Sequence, residues 1–256
     1  MDLILGAKRL GEFEVQGKKF RGIRPGIKDR WNARLVVGAE WSEHDLPINP
    51  NVAACPVRTI VSWRDARRIH RKRVEAGDKD YHVAAHVHFY MDDDKFDGDR
   101  CGIWANPEGF LEIVKHFDGI LGVDFSAQVD FPGPVFDFQV YRMRTVEYYA
   151  SANGVDTVQN LRWGDPSTWV LCFDTLHSHA PLSVGTVASG LKRIENRPLF
   201  EAGIREVVRE LSPEPLIVVG SARYPIFEEV RKAGIEIVQF DGATASAFAK
   251  GGCRNE

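Results

Sequence analysis

GILGVDFS, residues 119–126, is an apolar run that ends on a carboxylate and a hydroxyl. Its apolar part can be buried on both faces, like the strands of a parallel sheet that is covered by helices. Three other apolar runs end on clusters of side chains of the types used in catalysis: HVHFYMDDD at 86–94, TVQNLRWGD at 157–165 and PLSVGTV at 181–187. Because ligands bind at the carboxyl ends of parallel strands, the four runs predict a composite active site at that edge of the sheet.

Strand-like and helix-like segments alternate regularly from residue 57 onward. Strands are predicted at 58–63, 82–91, 119–125, 157–161, 182–187, 216–220 and 235–240. Helices are predicted up to about 76, from 107, at 134–152, after 166, at 200–211 and at 226–233. This order predicts an α/β fold, a single (β/α) barrel-like domain of about seven or eight parallel strands, closed or incomplete. A barrel is favoured over an open doubly wound sheet because polar clusters end many strands and no GxGxxG or P-loop motif follows any of them.

The N-terminal part of the chain has a different composition. Residues 1–56 are irregular and rich in Gly, Pro and Lys/Arg, with one strand predicted at 34–39. We expect them to form a basic N-terminal segment packed on the barrel of residues 57–256. Residues 1–73 hold 16 Lys/Arg against 8 Asp/Glu, although the whole chain has a net charge of -3.

The densest basic run is predicted to contact nucleic-acid phosphates, with DNA favoured. Its cationic residues are Arg64, Arg67, Arg68, Arg71, Lys72 and Arg73. Such a run can bind phosphates by replacing their counterions, whereas the alternative is an ordinary solvated helix face.

With 256 residues, 44% of them apolar and 27% charged, the chain has the composition of a soluble globular protein. No apolar run is long enough to cross a membrane, and the N-terminus does not read as a secretion signal. We therefore expect a cytoplasmic protein with no membrane partner. The cysteines, at 55, 101, 172 and 253, contain no CxxC pair, which favours free thiols over disulfides or a zinc site. No feature of the sequence indicates the oligomeric state.

Residues 86–241 resemble a domain family of unknown function that is found in bacteriophages and mobile elements. The matching motifs are HFYMDD (88–93), DFS (124–126), Asp130 followed by Pro132, YRMR (141–144), NLRWGD (160–165), SVGT (183–186), LIVVGS (216–221) and IEIVQF (235–240). The resemblance implies a phage or mobile-element context, with the host cytoplasm as location. In architecture the chain is also similar to the tRNA-guanine transglycosylase-like barrels that place deazaguanine in phage DNA, although their cysteine-rich zinc motif is absent.

The leading hypothesis is an enzyme that exchanges a base or transfers a glycosyl group on a nucleobase or nucleoside within nucleic acid. Asp124 is predicted to attack or stabilise an anomeric carbon, with Asp165 as the second carboxylate. Arg162 and Trp163 are predicted to hold a flat base, or a small-molecule base as a second substrate. The alternatives are structural: Asp124 in a turn, Asp165 as the cap of a helix that begins at Pro166, and Trp163 in the core.

Seven further residues complete the predicted substrate-binding set. They are His88, Asp93, Ser126, Asp130, Arg142, Gly185 and Thr186. An ion pair with the acidic loop after residue 91 is the alternative for Arg142, and close helix packing is the alternative for Gly185. No cofactor and no bound metal are expected.

Two other classes of function remain open. A metal-dependent barrel hydrolase would use His86 and His88, which lie on one strand face, with His177, His179 and Asp241, or would hold magnesium between the carboxylates at 92–94. A non-catalytic nucleic-acid-binding or host-interaction protein would use the basic run at 64–73 and would not need Asp124.

Overall fold

A computed structural model describes residues 9–10, 13–14, 28–98, 102–187, 191 and 193–241. The predicted free thiols at Cys101 and Cys253 lie outside these residues. Cys55 and Cys172 are free, the first exposed and the second buried. Among the described helices, none is long and apolar enough to cross a bilayer.

Seven parallel strands form one sheet in the order in which they occur in the chain. They are β3 (Ile60–Ser62), β4 (Val83–His88), β5 (Phe117–Leu121), β6 (Asp156–Asn160), β7 (Leu182–Gly185), β8 (Leu216–Val219) and β9 (Ile237–Phe240). Each pairs in parallel with the next. Two short strands before the sheet, β1 (Arg9–Leu10) and β2 (Phe13–Glu14), pair antiparallel.

In the described part of the chain, six α-helices connect or follow these strands. They are α1 (Trp63–Glu75), α2 (Pro107–Val114), α3 (Gly133–Ala152), α4 (Trp169–Phe173), α5 (Arg197–Leu211) and α6 (Ile226–Lys232). As predicted, Asn106 caps α2, since its side chain accepts a hydrogen bond from the Gly109 N–H and Pro107 takes the first helical position. The serine that ends β3, Ser62, caps α1 by accepting from the Asp65 N–H.

The strand order produces an incomplete barrel. Because crossovers between neighbouring parallel strands are almost always right-handed, this strand order favours connecting helices on one face of a sheet that curls into half a barrel. Within the described part of the chain, β3 and β9 each pair with one strand only, so the barrel is open between them. The predicted α/β class, the seven parallel strands and the incomplete barrel are confirmed.

The strand predicted at 34–39 is wrong. Residues Ala33–Val36 form a 3-10 helix, and Asn32 before it adopts a left-handed conformation with φ 54°. The Asp29 carboxylate accepts hydrogen bonds from the N–H groups of Ala33 and Arg34, at 3.0 Å each. This side-chain cap satisfies the first free N–H groups of a helical turn, and it outweighs the strand propensity of the following Leu-Val-Val run.

Residues 28–56 contact the outer helices and the neighbouring loops. Arg34 pairs with Glu108 of α2 at 2.7 Å, His44 pairs with Asp174 at 3.1 Å, and Asn51 donates to the Ser151 carbonyl of α3 at 3.2 Å. The division of the chain at residues 56 and 57 stays a prediction.

The sheet has an apolar face toward the helices and a mixed face toward the barrel interior. Side chains alternate along each strand, so Ile120 packs against the helices whereas Leu121 faces the interior with Tyr90 and Val158. The same alternation directs four buried polar side chains of β4, β6 and β7 to the interior: His86, His88, Asn160 and Ser183. The polar end of this interior leads to the candidate site.

Candidate functional site

Asp124 follows β5 at the carboxyl edge of the sheet and is a largely enclosed carboxylate. Its side chain is 15% exposed and lies 3.6 Å from Arg162 Nη1. The Asn160 side-chain amide donates a hydrogen bond to its Oδ1 at 3.1 Å. Burial raises the pKa of Asp124, and Arg162 and the Asn160 hydrogen bond oppose that rise. The carboxylate is therefore poorly hydrated but held in a defined position.

A buried polar chain behind Asp124 fixes Asn160. The Tyr90 hydroxyl donates to Asn160 Oδ1 at 2.9 Å and lies 2.8 Å from the Ser183 hydroxyl. With Oδ1 occupied by this donor, the Asn160 amide N–H group points at Asp124. These three residues are not in the predicted site, although each lies in one of the quoted motifs. The available signal was a polar side chain at an inward position of an otherwise buried strand.

A buried ion pair on α3 holds the backbone of Asn160. Arg144 Nη1 lies 2.7 Å from Glu147 Oε2 and donates to the Asn160 carbonyl at 3.1 Å. Glu147 Oε1 accepts the Asn160 N–H at 2.8 Å, and Arg144 Nη2 donates to the Cys172 carbonyl at 2.9 Å. The backbone N–H and the backbone carbonyl of Asn160 are thus both bound to one ion pair. Of the two arginines in YRMR, Arg144 is the one connected to the site.

Two more predicted residues lie beside Asp124. The Asp93 carboxylate accepts hydrogen bonds from the Ser126 N–H and hydroxyl, at 3.0 Å each. The negative charge of Asp93 also acts on Asp124 and contributes to the upward shift of its pKa, after burial. Asp93, Ser126, Asp124 and Arg162 therefore belong to one cluster that joins the ends of β4, β5 and β6.

An open cavity of about 510 Å³ adjoins this cluster. Its walls include Arg162, Asp130, Gly185, Arg193 and Asn196, and their chemistry is mixed polar and apolar. Arg162 links the cavity to Asp124, because its guanidinium faces the carboxylate while its Nε–H donates to the Ala127 carbonyl at 3.2 Å. A cavity of this size is in the range used for small-molecule ligands.

Trp163 forms a wall of the cavity and packs against α5. Its ring nitrogen donates to the Leu199 carbonyl at 3.2 Å, and its ring lies 5.5 Å from that of Phe200. A Cβ at Gly203 would come within 2.1 Å of the indole, so the glycine makes the close approach possible. Gly185 has the same role for the Tyr90 ring, which would lie 2.4 Å from a Cβ. The indole is thus both a packing residue and a cavity wall.

Asp165 and Arg142 make structural contacts outside the cluster. Asp165 accepts hydrogen bonds from the N–H of Ser167 at 3.0 Å and from the hydroxyl of Ser167 at 2.6 Å. These contacts make Asp165 the cap of a short helix, which is the structural alternative to a catalytic role. Arg142 lies 3.9 Å above the Phe125 ring and pairs with Asp97 of the acidic loop. Thr186 donates to the Ser221 carbonyl at 3.1 Å at the end of β7. Catalysis by Asp165 and ligand binding by Arg142 stay predictions.

The histidines predicted as metal ligands occupy separate places. His86 lies 3.5 Å from Asp156, His177 Nε2 contacts the Asn49 carbonyl at 3.0 Å, and His179 pairs with Glu214. Across the described ranges, no three His, Cys, Asp or Glu side chains form a group that could hold a metal ion. This also applies to the carboxylates at 92–94. The proposed metal set is therefore not assembled.

His88 is almost fully buried in the barrel interior, and burial lowers its pKa from 6.5 to about 4. The unfolded chain binds a proton in this range more readily than the folded one, so the stability present above pH 6.5 is lost as the pH falls toward 4. We expect the free energy of unfolding to decrease by about 2 kcal/mol between pH 7 and pH 5 on account of this residue. Urea unfolding at both pH values checks this.

The control for His88 is His82, an exposed residue that immediately precedes β4 and pairs with Asp118 of β5. His88→Gln should reduce the difference in stability between pH 7 and pH 5, whereas His82→Gln should leave it nearly unchanged. An undiminished difference in His88→Gln would assign the pH dependence to other groups.

Comparison with known proteins places the chain in a family of unknown function. The family described as "Domain of unknown function (DUF4417)" matches residues 40–241. The Gene 1 protein of Mycobacterium phage D29 is 25% identical over 212 residues, which cover 83% of this chain and 73% of that protein. The Gene 1 protein of Mycobacterium phage L5 is 27% identical over 138 residues, which cover 54% of this chain and 58% of that protein. The second alignment thus spans little more than half of the L5 protein. No solved structure matches.

Proposed function

Because the chain belongs to DUF4417, a bacteriophage family of unknown function, its activity must be inferred from its site, and we propose that it exchanges or transfers a nucleobase on nucleic acid. DNA is favoured over RNA as the polymer, and a free base is the second substrate. Asp124 is the reacting carboxylate in this proposal.

The observation that carries the proposal is the environment of Asp124. It is a poorly hydrated carboxylate at the catalytic edge of a barrel, oriented by Asn160 and faced by Arg162 beside a cavity. A carboxylate whose pKa is raised by burial is a better nucleophile than a hydrated one, because less water must be removed before it reacts. Its position agrees with the rule that barrel enzymes react at this edge.

The reaction can be written with balanced bonds and protons. An oxygen of Asp124 bonds to the anomeric carbon while the bond from that carbon to the base nitrogen breaks. The electron pair leaves with the base, which takes up one proton. The nitrogen of an incoming base then displaces the Asp124 oxygen, which keeps the electron pair of the broken bond and is a carboxylate oxygen again. The incoming base loses one proton from that nitrogen. Each step passes through positive charge on the sugar, and the ionised carboxylate stabilises that charge.

The cavity supplies the groups that a base requires. Arg162 and Arg193 offer hydrogen-bond donors to carbonyl or ring-nitrogen atoms, and Trp163 offers an apolar wall. Asp130, also on the wall, can accept from an exocyclic amino group. These residues support a planar, polar ligand over a purely apolar one.

An exchange assay tests the proposal. The purified chain is incubated with duplex DNA and a radiolabelled base, which is guanine, 7-deazaguanine or adenine in separate reactions, and label in the polymer is counted. Incorporation of at least one base, or release of base from the polymer, is expected. Parallel reactions with RNA decide the polymer, since label in RNA alone would retain the reaction and reverse the preference for DNA. If neither polymer gains label or loses base, the proposal is wrong.

A further inference from the structure

Helix α1 carries a one-sided row of arginines. Arg64, Arg67, Arg68 and Arg71 have the spacing i, i+3, i+4, i+7, which places them on a single helix face. All four are exposed, while Trp63 and Ala66 on the opposite side are buried. We call these four residues the arginine stripe. Lys72 and Arg73 of the same helix are also exposed but do not share its face.

The stripe lines an open groove of about 770 Å³, closed on its other side by Ile113 of α2. Two of its members have partners within the helix: Arg68 pairs with Asp65 at 3.1 Å and Arg71 approaches Glu75 at 3.9 Å. Arg64 and Arg67 have no acidic partner among the described residues. A concave surface with unpaired guanidinium groups is suited to an anionic ligand.

We propose that the arginine stripe binds the phosphodiester backbone of the nucleic acid whose base enters the Asp124 site. The inference rests on the proposed function for the identity of the polymer, but the binding it describes is measured without catalysis. The basic run was predicted to contact phosphates as a whole, and the fold restricts that role to one face of α1.

The stripe begins at the same edge of the sheet as the candidate site. Helix α1 starts directly after β3, so Arg64 lies at the carboxyl ends of the strands. Its charge acts on Lys95, in the short helix Asp93–Lys95 whose first residue binds Ser126 beside Asp124. From there the stripe runs away from the site along the outside of the barrel. A strand held on it would therefore approach the Asp124 cluster at one end.

The length of the stripe matches a short run of phosphates. From Arg64 to Arg71 the helix rises roughly 10 Å. One strand of B-form DNA advances about 3.4 Å per phosphate along its axis, so the stripe can span about three such steps, which join four phosphates. If all four arginines replaced counterions, the slope of log affinity against log salt would be about -3.6 on duplex DNA. Affinity would then fall about 150-fold between 50 and 200 mM salt.

Fluorescence anisotropy with a labelled 20-base-pair duplex, titrated at several salt concentrations, tests the stripe. The variant Arg64→Gln/Arg67→Gln should reduce the slope by about 2, so that the same salt change costs about 12-fold. The matched control is Arg205→Gln/Arg209→Gln on α5, which removes the same charge from exposed residues paired with Glu229 and Glu206. This control should keep the wild-type slope.

The outcomes separate this inference from the proposed function. Binding through the stripe by a chain that exchanges no base keeps the inference on phosphate contacts and rejects the proposed reaction. If the two arginine double variants have equal slopes of log affinity against log salt, the proposal that the stripe binds phosphates is wrong. Salt-sensitive binding to phosphatidylserine vesicles with none to DNA or RNA also overturns it, and single-stranded and RNA probes identify the preferred polymer.

Discussion

Asp124→Asn should lower the rate of base exchange by at least about 10²-fold, because an amide oxygen cannot act as the nucleophile or carry the negative charge that stabilises the sugar cation. The same change should not destabilise the protein. Burial raises the pKa of Asp124, so the stability linked to its protonation is present below the ordinary value of 3.8 and is lost as the pH rises through the folded-state value. At neutral pH the charged form therefore costs stability, and asparagine removes that cost while it keeps an acceptor for Asn160.

Exchange rates and urea unfolding at pH 7 measure the two effects together. The control is Asp118→Asn, which removes a carboxylate from the same strand β5 at the other edge of the sheet, where it pairs with exposed His82. It should leave the exchange rate nearly unchanged. A variant at 124 that is as active as the wild type would reject Asp124 as the reacting group, whereas one that is inactive and also less stable would indicate a structural role.

Glu147→Gln should lower the free energy of unfolding by about 3–5 kcal/mol, since it leaves the charge of Arg144 buried without its partner. Arg144 and Glu147 are 1% and 0% exposed, and together they hold both polar groups of the Asn160 peptide. We also expect slower base exchange, because Asn160 orients Asp124 through its side-chain amide. Urea unfolding and exchange rates at saturating base distinguish a loss of stability from a displaced carboxylate.

Glu228→Gln provides the matched control. Glu228 and Arg231 form an i, i+3 pair on α6 in which both side chains are more than a third exposed, and its loss should cost about 1 kcal/mol or less. The double variant Arg144→Met/Glu147→Leu should recover stability relative to Glu147→Gln, because it removes both buried charges. It should not recover activity, since the Asn160 peptide would still lack its partners. Full activity in the double variant would show that the ion pair does not position the site.

The alternation of strands and helices is predicted correctly, because it depends on the pattern of neighbouring residues. Apolar runs such as 119–123 and the amphipathic pattern of α5 are properties of adjacent residues, and the caps at Asn106 and Asp165 lie within three positions of the groups they bind. The error at 34–39 arose because the capping carboxylate, Asp29, precedes the turn and competes with an apolar run that resembles a strand.

The residues that contact Asp124 and Asn160 could not be predicted from local sequence patterns. Asp124 was found because it ends a buried strand, but its partners come from distant positions: Asn160 is 36 residues away, and Tyr90 and Ser183 are 70 and 93 residues from the groups they contact. Arg142 of YRMR is in the predicted substrate-binding set, whereas Arg144, which the structure connects to Asn160, is not singled out by the sequence. The two arginines lie on different faces of α3. Arg144 therefore reaches the Asn160 carbonyl, whereas Arg142 pairs with Asp97 of the acidic loop.

The sequence by itself determined the α/β class, the parallel strands and the edge at which reactive side chains collect, because strand period, helix period and capping are local. The tertiary structure decided which of those side chains meet. Curling seven strands into an incomplete barrel brings the ends of β4, β5, β6 and β7 together and buries Asp124 against Asn160. Such contacts depend on strand register and crossover handedness, which are set by the packing of the whole sheet against its helices.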